Sequence, residues 1–146
     1  MATNTFENKT FSTDSAKKTK QLGKDFAKVL KKGDIVFFNG NLGTGKTTFI
    51  QGIMSNFGIK KFVRSASFML VNEFETKDIN LYHIDLYRLG KINVQDLGLD
   101  EYLFGKAISL VEWSERLTGC ENQKRWEINI EYADENTRNI SIKRVK

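Results

Sequence analysis

The segment Gly40-Asn41-Leu42-Gly43-Thr44-Gly45-Lys46-Thr47 constrains this chain more than any other. It satisfies G-x-x-x-x-G-K-[ST] in full, and it lies where that pattern needs to lie. Ahead of it runs Ile35-Val36-Phe37-Phe38, wholly apolar, as suits a central parallel strand buried on both faces. Behind it Phe49, Ile50, Ile53, Met54 and Phe57 trace one face of a helix, with Gly58 suited to its C-terminal cap. The glycines let the loop adopt turns closed to residues with a Cβ. Its amides can then point inward and cradle phosphate oxygens, and the helix aims its amino end at the same anion. Asn41, Leu42, Gly43, Thr44, Gly45, Lys46, Thr47 and Thr48 are the expected contacts. Lys46 supplies a mobile charge to the β- and γ-phosphates, and the Thr47 hydroxyl can join the shell of Mg²⁺.

Such a loop holds a triphosphate without choosing the base. An Asn-Lys-x-Asp stretch, usual in guanine-specific switches, does not occur. The six arginines are scattered instead of gathered into the lid common in small P-loop kinases. Both features favour an ATP hydrolase or ATP-driven switch.

The rest of the chain supports one domain over residues 1–146. An apolar fraction of 40%, with 11 Phe, 4 Tyr and 2 Trp, is enough for a core. Phe6 to Phe11 suits a short edge strand. Asp14 or Ser15 can cap a helix whose stripe is Leu22, Phe26, Val29 and Leu30, closed by Lys31, Lys32 and Gly33. Phe68 to Phe74 and Ile79 to Leu86 read as strands around a turn at Lys77 and Asp78. In the second, Leu81, His83 and Asp85 share one face and Tyr82, Ile84 and Leu86 the other. Leu97 to Phe104 is a short helix or irregular turn. Ala107 to Val111 is a strand ending at Glu112, and Trp113 to Leu117 opens a helical turn. Trp126, Ile128, Ile130 and Tyr132, then Ile140 and Ile142, alternate with polar residues as in an antiparallel hairpin with one wet face.

Magnesium bridging phosphates wants hard oxygen ligands. Asp85 and Glu112 fall at strand ends, where such sheets gather their sites. With Thr47 they form the candidate metal set, and with Lys46 the candidate catalytic set. Either acid can enter the Mg²⁺ shell or orient the attacking water. His83 can hydrogen-bond a carboxylate or phosphate, or serve only the framework. Glu115 is read as a helix-capping acid.

Composition excludes several classes. One cysteine, Cys120, allows no internal disulfide, and one Cys with one His cannot close a structural zinc shell. Cys120 is read as a small, partly buried or loop thiol. No run reaches membrane-span length and MATNTFENKT is no signal segment, so a cytoplasmic protein without membrane contact is expected. The +5 net charge resides in residues 1–32, where Lys17, Lys18, Lys20, Lys24 and Lys28 belong to the first helix. These suit a solvated face better than a nucleic-acid site, since neither an arginine cluster nor stacking aromatics accompany them.

Taken together, the phosphate loop, His83-Ile84-Asp85-Leu86-Tyr87-Arg88-Leu89 and Val111-Glu112-Trp113-Ser114-Glu115-Arg116-Leu117 resemble the bacterial tRNA threonylcarbamoyladenosine biosynthesis ATPase family. The resemblance runs from about Ser12 to Leu117. The family expects Gly-Asp-Leu-Gly-x-Gly-Lys-Thr-Thr, and here Asn41 replaces the Asp. It expects Ser-Pro-Thr-Phe or Tyr where this chain has Ser65-Ala66-Ser67-Phe68, and Glu-Trp-Pro-Glu where it has Glu112-Trp113-Ser114-Glu115; the chain contains no proline.

The resemblance implies a three-layer α/β P-loop nucleoside triphosphatase domain with a mixed central sheet. It implies a protein that binds ATP and Mg²⁺, hydrolyses slowly alone, and serves the complex that forms N6-threonylcarbamoyladenosine at position 37 of tRNAs reading codons that start with A. The implied partners are the threonylcarbamoyl transferase and that enzyme's non-catalytic paralogue; contact with tRNA would be indirect. Thr47 and Glu112 match the family's metal positions and Asp85 the acid of its strand motif. Ser65 and Ser67 fall in a switch-like loop, and Trp113 packs near the nucleotide. Two other readings use the same loop: a small-molecule kinase, marked by substrate-dependent ADP release, and a nucleotide-regulated binding protein without turnover.

Overall fold

A computed structural model describes residues 5–40, 45–60, 71–87 and 89–146. In chain order the elements are β1 (Lys9–Thr13), α1 (Ala16–Ala27), β2 (Ile35–Asn39), α2 (Lys46–Asn56), β3 (Val71–Glu75), β4 (Asn80–Asp85), β5 (Ile92–Asn93), α3 (Leu99–Leu103), β6 (Ile108–Glu112), β7 (Leu117–Thr118), β8 (Arg125–Tyr132) and β9 (Arg138–Val145). Single 3₁₀ turns cover Asp96–Gly98 and Ser114–Arg116. Among the described residues, seven strands form one mixed sheet in the order β1-β9-β8-β2-β6-β4-β3, and β5 pairs with β7 in a second, two-stranded sheet.

The centre of the sheet is parallel: β2 lies between β8 and β6, and β6 pairs in parallel with β4. Its margins are antiparallel, β3 on β4 at one side and β8-β9-β1 at the other. Alternation along each central strand splits the core in two. Val36, Phe38, Leu81, Leu110, Trp126, Ile128 and Ile140 face α1 and α2. Ile35, Phe37, Ile84, Leu86 and Val111 face a thinner layer carrying Leu99, Leu103, Leu117 and Cys120. The three layers are therefore unequal. The expected alternation in β4 holds: Leu81 faces the α1–α2 layer and Ile84 the other.

Helices α1 and α2 touch backbone to backbone. A Cβ on Gly23 would lie 2.2 Å from the Phe49 carbonyl oxygen, and one on Gly52 would lie 2.0 Å from that of Lys20. Only glycine allows this approach. It beds α2, and hence the lysine that opens it, against α1. At its far end α2 closes through Gly58 N–H to Ser55 O and Ile59 N–H to Met54 O, a Schellman pair.

Several boundaries differ from the sequence reading. The edge strand is Lys9–Thr13, not Phe6–Phe11. Asn8, at φ 55°, turns the chain before it, while buried Phe6 packs 5.6 Å from Phe11 and from Phe26. Ser15, not Asp14, caps α1, accepting from Lys18 N–H. The helix stops at Ala27: Val29 and Leu30 bond three residues back, to Phe26 and Ala27, and finish the apolar stripe in a tightened turn. Lys28 is thus the cap, outside the helix it was expected to belong to. The first strand of the β3–β4 hairpin is described only from Val71; the expected Phe68 start lies outside the described residues. The tail is the hairpin its alternation implied, with Trp126, Ile128, Ile130, Ile140 and Ile142 buried. Its position in the sheet is a surprise, because β8 joins β2 in parallel at the centre.

Candidate functional site

Lys46 opens α2 immediately after Gly45, which stands at φ 107° and has no side chain with which to cap the helix. The amides of the first turn are therefore not met by a side chain of their own cap, and the first turn carries no acid. That end suits an anion. Although charged, Lys46 is only 5% exposed. Its Nζ donates to the Gly40 carbonyl at 2.9 Å and sits 4.3 Å from the centroid of the Trp113 ring. Burial pushes the ammonium pKa below its ordinary 10.5, and the charges of Glu112, then Glu115 and Asp85, pull it back up. Three carboxylates thus converge electrostatically on this one lysine. Thr47 and Thr48, next on α2, are half-buried.

The two strand-end acids are register partners. Asp85 closes β4 and Glu112 closes β6, opposite each other across parallel strands, and Phe38 of β2 pairs with Glu112 on its other side. By alternation both belong to the sheet face that carries α2. Glu112 is buried, and its Oε2 lies 2.7 Å from His83 Nε2 on the neighbouring strand. His83 therefore has a carboxylate partner, an arrangement that suits both a site role and a purely structural one. Asp85 Oδ1 accepts from Tyr87 N–H at 2.9 Å, which turns the chain as it leaves β4.

Trp113 has the left-handed conformation φ 59°, ψ 38°, unusual for a bulky residue. Its surroundings hold it there. Lys46 and the Arg116 guanidinium, 4.8 Å away, both lie within cation–π range of its ring, and Tyr87 packs at 5.1 Å. Arg116 Nη1 donates to the carbonyls of Leu86, Tyr87 and Leu89, the first at 3.1 Å and the last at 2.7 Å. It thereby ties the loop after Asp85 to the turn after Glu112. The buried Ser114 hydroxyl donates to Asn39 Oδ1 at 2.8 Å, joining that turn to the end of β2.

The structure thus brings Lys46, Glu112, Asp85 and Trp113 to one end of the sheet. Asn41, Leu42, Gly43, Thr44, Ser65 and Ser67 lie outside the described residues. Glu115 is corrected: no side chain caps the 3₁₀ turn it belongs to, and its charge acts on Lys46 instead. Cys120 is buried, and burial pushes its thiol pKa up against the opposing pull of Arg125, as suits an inert thiol. Residue-by-residue reading missed Arg116 and Ser114 as site-framing groups. The segment 111–117 had drawn attention, but only the fold shows what those two side chains reach.

The donor set can be tested against the expected ligands. A buried lysine beside an uncapped helix start fits phosphate. Two strand-end carboxylates fit a Mg²⁺ that takes its other ligands from phosphate and water. Among the described residues, no group of three His, Cys, Asp or Glu side chains forms a metal cage of its own. No described helix is long and apolar enough to cross a membrane.

Fold and site together define an α/β protein with a mixed central sheet and a buried lysine opening a helix at the sheet's end. The sequence model of the threonylcarbamoyl adenosine biosynthesis protein TsaE family matches residues 13–140, and the chain belongs to that family. It is 37% identical over 130 residues to the tRNA threonylcarbamoyladenosine biosynthesis protein TsaE of Bacillus subtilis, covering 89% of this chain and 82% of that one. Against the protein of the same name from Aquifex aeolicus the identity is 38%, over 90% of this chain and 92% of the other. The crystal structure of Bacillus subtilis YdiB superposes with a TM-score of 0.79 at 34% identity, covering 96% of this chain and 87% of that one. The family match takes in β8 and the start of β9, beyond the segment that carried the resemblance in sequence.

Proposed function

We propose that this chain is the ATP-binding, Mg²⁺-dependent ATP-hydrolysing component of the machinery that forms threonylcarbamoyladenosine in tRNA. One observation carries the enzymatic part: a buried lysine opens α2 and is faced by the charges of two acids from adjacent strand ends. Family membership carries the biological part.

In this reading Lys46 holds the β- and γ-phosphates, together with the amides of the loop before it. Thr47, Asp85 and Glu112 hold the metal directly or through water. When bound, Mg²⁺ neutralises charge developing on the transferring phosphoryl group. His83 keeps the Glu112 carboxylate oriented through its 2.7 Å contact. Trp113 shields the lysine from water, which strengthens its attraction for phosphate.

The described arginines argue against the kinase alternative. Arg116 donates to backbone carbonyls, Arg125 to backbone carbonyls and to Glu127, Arg144 lies over Trp126 and beside Asp34, and Arg138 lies over Tyr132 with its Nε 3.7 Å from where a Cβ on Gly45 would stand. They are dispersed instead of gathered into a lid over an acceptor. The proposed partners are the threonylcarbamoyl transferase and its non-catalytic paralogue, with ATP turnover low until they complete the site. ADP release measured with and without that pair tests this. Turnover that rises with the pair and falls in Glu112→Gln supports the assignment. Equal turnover in Glu112→Gln and parent removes Glu112 from the mechanism.

A further inference from the structure

A closed ring of contacts surrounds the start of the phosphate loop. Lys46 Nζ donates to Gly40 O at 2.9 Å. Gly40 follows Asn39, the last residue of β2, whose Oδ1 accepts from Ser114 Oγ at 2.8 Å. Ser114 follows Trp113, and the Trp113 ring lies 4.3 Å from Lys46 Nζ, which closes the ring.

We infer that Ser114 is a positioning residue for the phosphate loop: through Asn39 it fixes the Gly40 carbonyl that holds Lys46. This rests on the reading of Lys46 as the phosphate-binding lysine. A serine hydroxyl most often bonds to backbone a few residues away. This one instead reaches a side chain 75 positions distant, from a buried serine to a half-buried asparagine, where an unmet serine hydroxyl is unfavourable. It does so from the first residue of a 3₁₀ turn entered through the left-handed Trp113, a geometry that aims Ser114 at β2. The turn carrying Glu112 and Trp113 and the strand leading into the loop are therefore fastened to each other at the site itself.

Removing the hydroxyl frees the Asn39 amide. The Gly40 carbonyl then loses its fixed direction, and a nucleotide must order that segment as it binds. Ordering at the moment of binding weakens affinity. Asn39→Ala breaks the same link from the other end, so the two substitutions act through one contact.

The test is calorimetric titration of Mg²⁺ and a non-hydrolysable ATP analogue into the parent, Ser114→Ala, Asn39→Ala and the double variant. Each single variant is expected to bind about three- to tenfold more weakly, the range of one lost neutral hydrogen bond. The double variant should bind no more weakly than either single one, because both remove one interaction. Tryptophan emission of the ligand-free proteins gives a second readout. With the Trp126 signal taken from Trp113→Phe, the Trp113 emission should shift in both single variants as Lys46 moves on its ring. Affinity in Ser114→Ala equal to or tighter than the parent overturns the inference, as does a Ser114→Ala effect that persists undiminished beside Asn39→Ala. A parent that fails to bind the analogue overturns the nucleotide assignment and this inference with it. A parent that binds beside an unaffected Ser114→Ala removes this inference alone.

Discussion

Lys46 concentrates the chemistry of this molecule at one atom. It is buried, and its charge is tolerated because the Gly40 carbonyl accepts from it, the Trp113 face lies against it and the charges of Glu112, Glu115 and Asp85 favour its protonated form. Its replacement by alanine should lower partner-stimulated ATP turnover by about a hundredfold or more, the scale seen when a donor to developing charge is removed. Far-UV circular dichroism should stay unchanged, because Lys46 contacts the loop and not the apolar core. Normal turnover in Lys46→Ala would contradict the role given to it. His83 and Glu112 form a second buried unit. His83→Ala leaves a buried carboxylate without its histidine and should destabilise the fold by about 1–3 kcal/mol in urea unfolding. A change within error would mean that water replaces the imidazole. The third residue-scale expectation concerns Cys120. Buried, with its thiol pKa raised by that burial, it should react with iodoacetamide near neutral pH only after denaturation. Rapid labelling of the folded protein would show the thiol to be open.

At the scale of elements, the pairing of α1 with α2 decides where Lys46, at the start of α2, ends up. Gly23 and Gly52 let the two backbones meet, so Gly23→Ala and Gly52→Ala should each force the helices apart. The expected loss is about 1–3 kcal/mol, the range for overpacking, read as a lowered thermal midpoint. An unchanged midpoint in both would show that the helix pair yields freely. Nothing in the sequence announced these glycines, since close approach between two helices leaves no periodic trace. What periodicity does record, it recorded well. The run 35–38 gave β2, the spacing of Phe49, Ile50, Ile53 and Met54 gave α2, and the alternation after Trp126 gave the β8–β9 hairpin. The ends of α1 and β1 were misplaced, because caps and turns such as Lys28 and Asn8 are settled by local backbone geometry. The two-residue β5–β7 pair was missed, being too short for any pattern.

Across the whole molecule, topology brings the pieces of the site together from distant parts of the chain. Lys46, Asp85 and Glu112 were legible as candidates because each follows a readable strand or loop. Their mutual arrangement was not, since the order β8-β2-β6-β4 depends on parallel pairings between distant segments. The same holds for the ties made by Ser114 and Arg116, which span 75 and about 30 residues. Under the proposed function this sheet end is a nucleotide engine for tRNA modification. Its most direct test is threonylcarbamoyladenosine formed per transferase complex, on unmodified tRNA, with threonylcarbamoyl donor, ATP and Mg²⁺ in excess. The parent chain should support many turnovers per complex, while Lys46→Ala and Glu112→Gln should each leave the yield near that obtained without the chain. Multiple turnover sustained equally by Lys46→Ala would contradict the central claim.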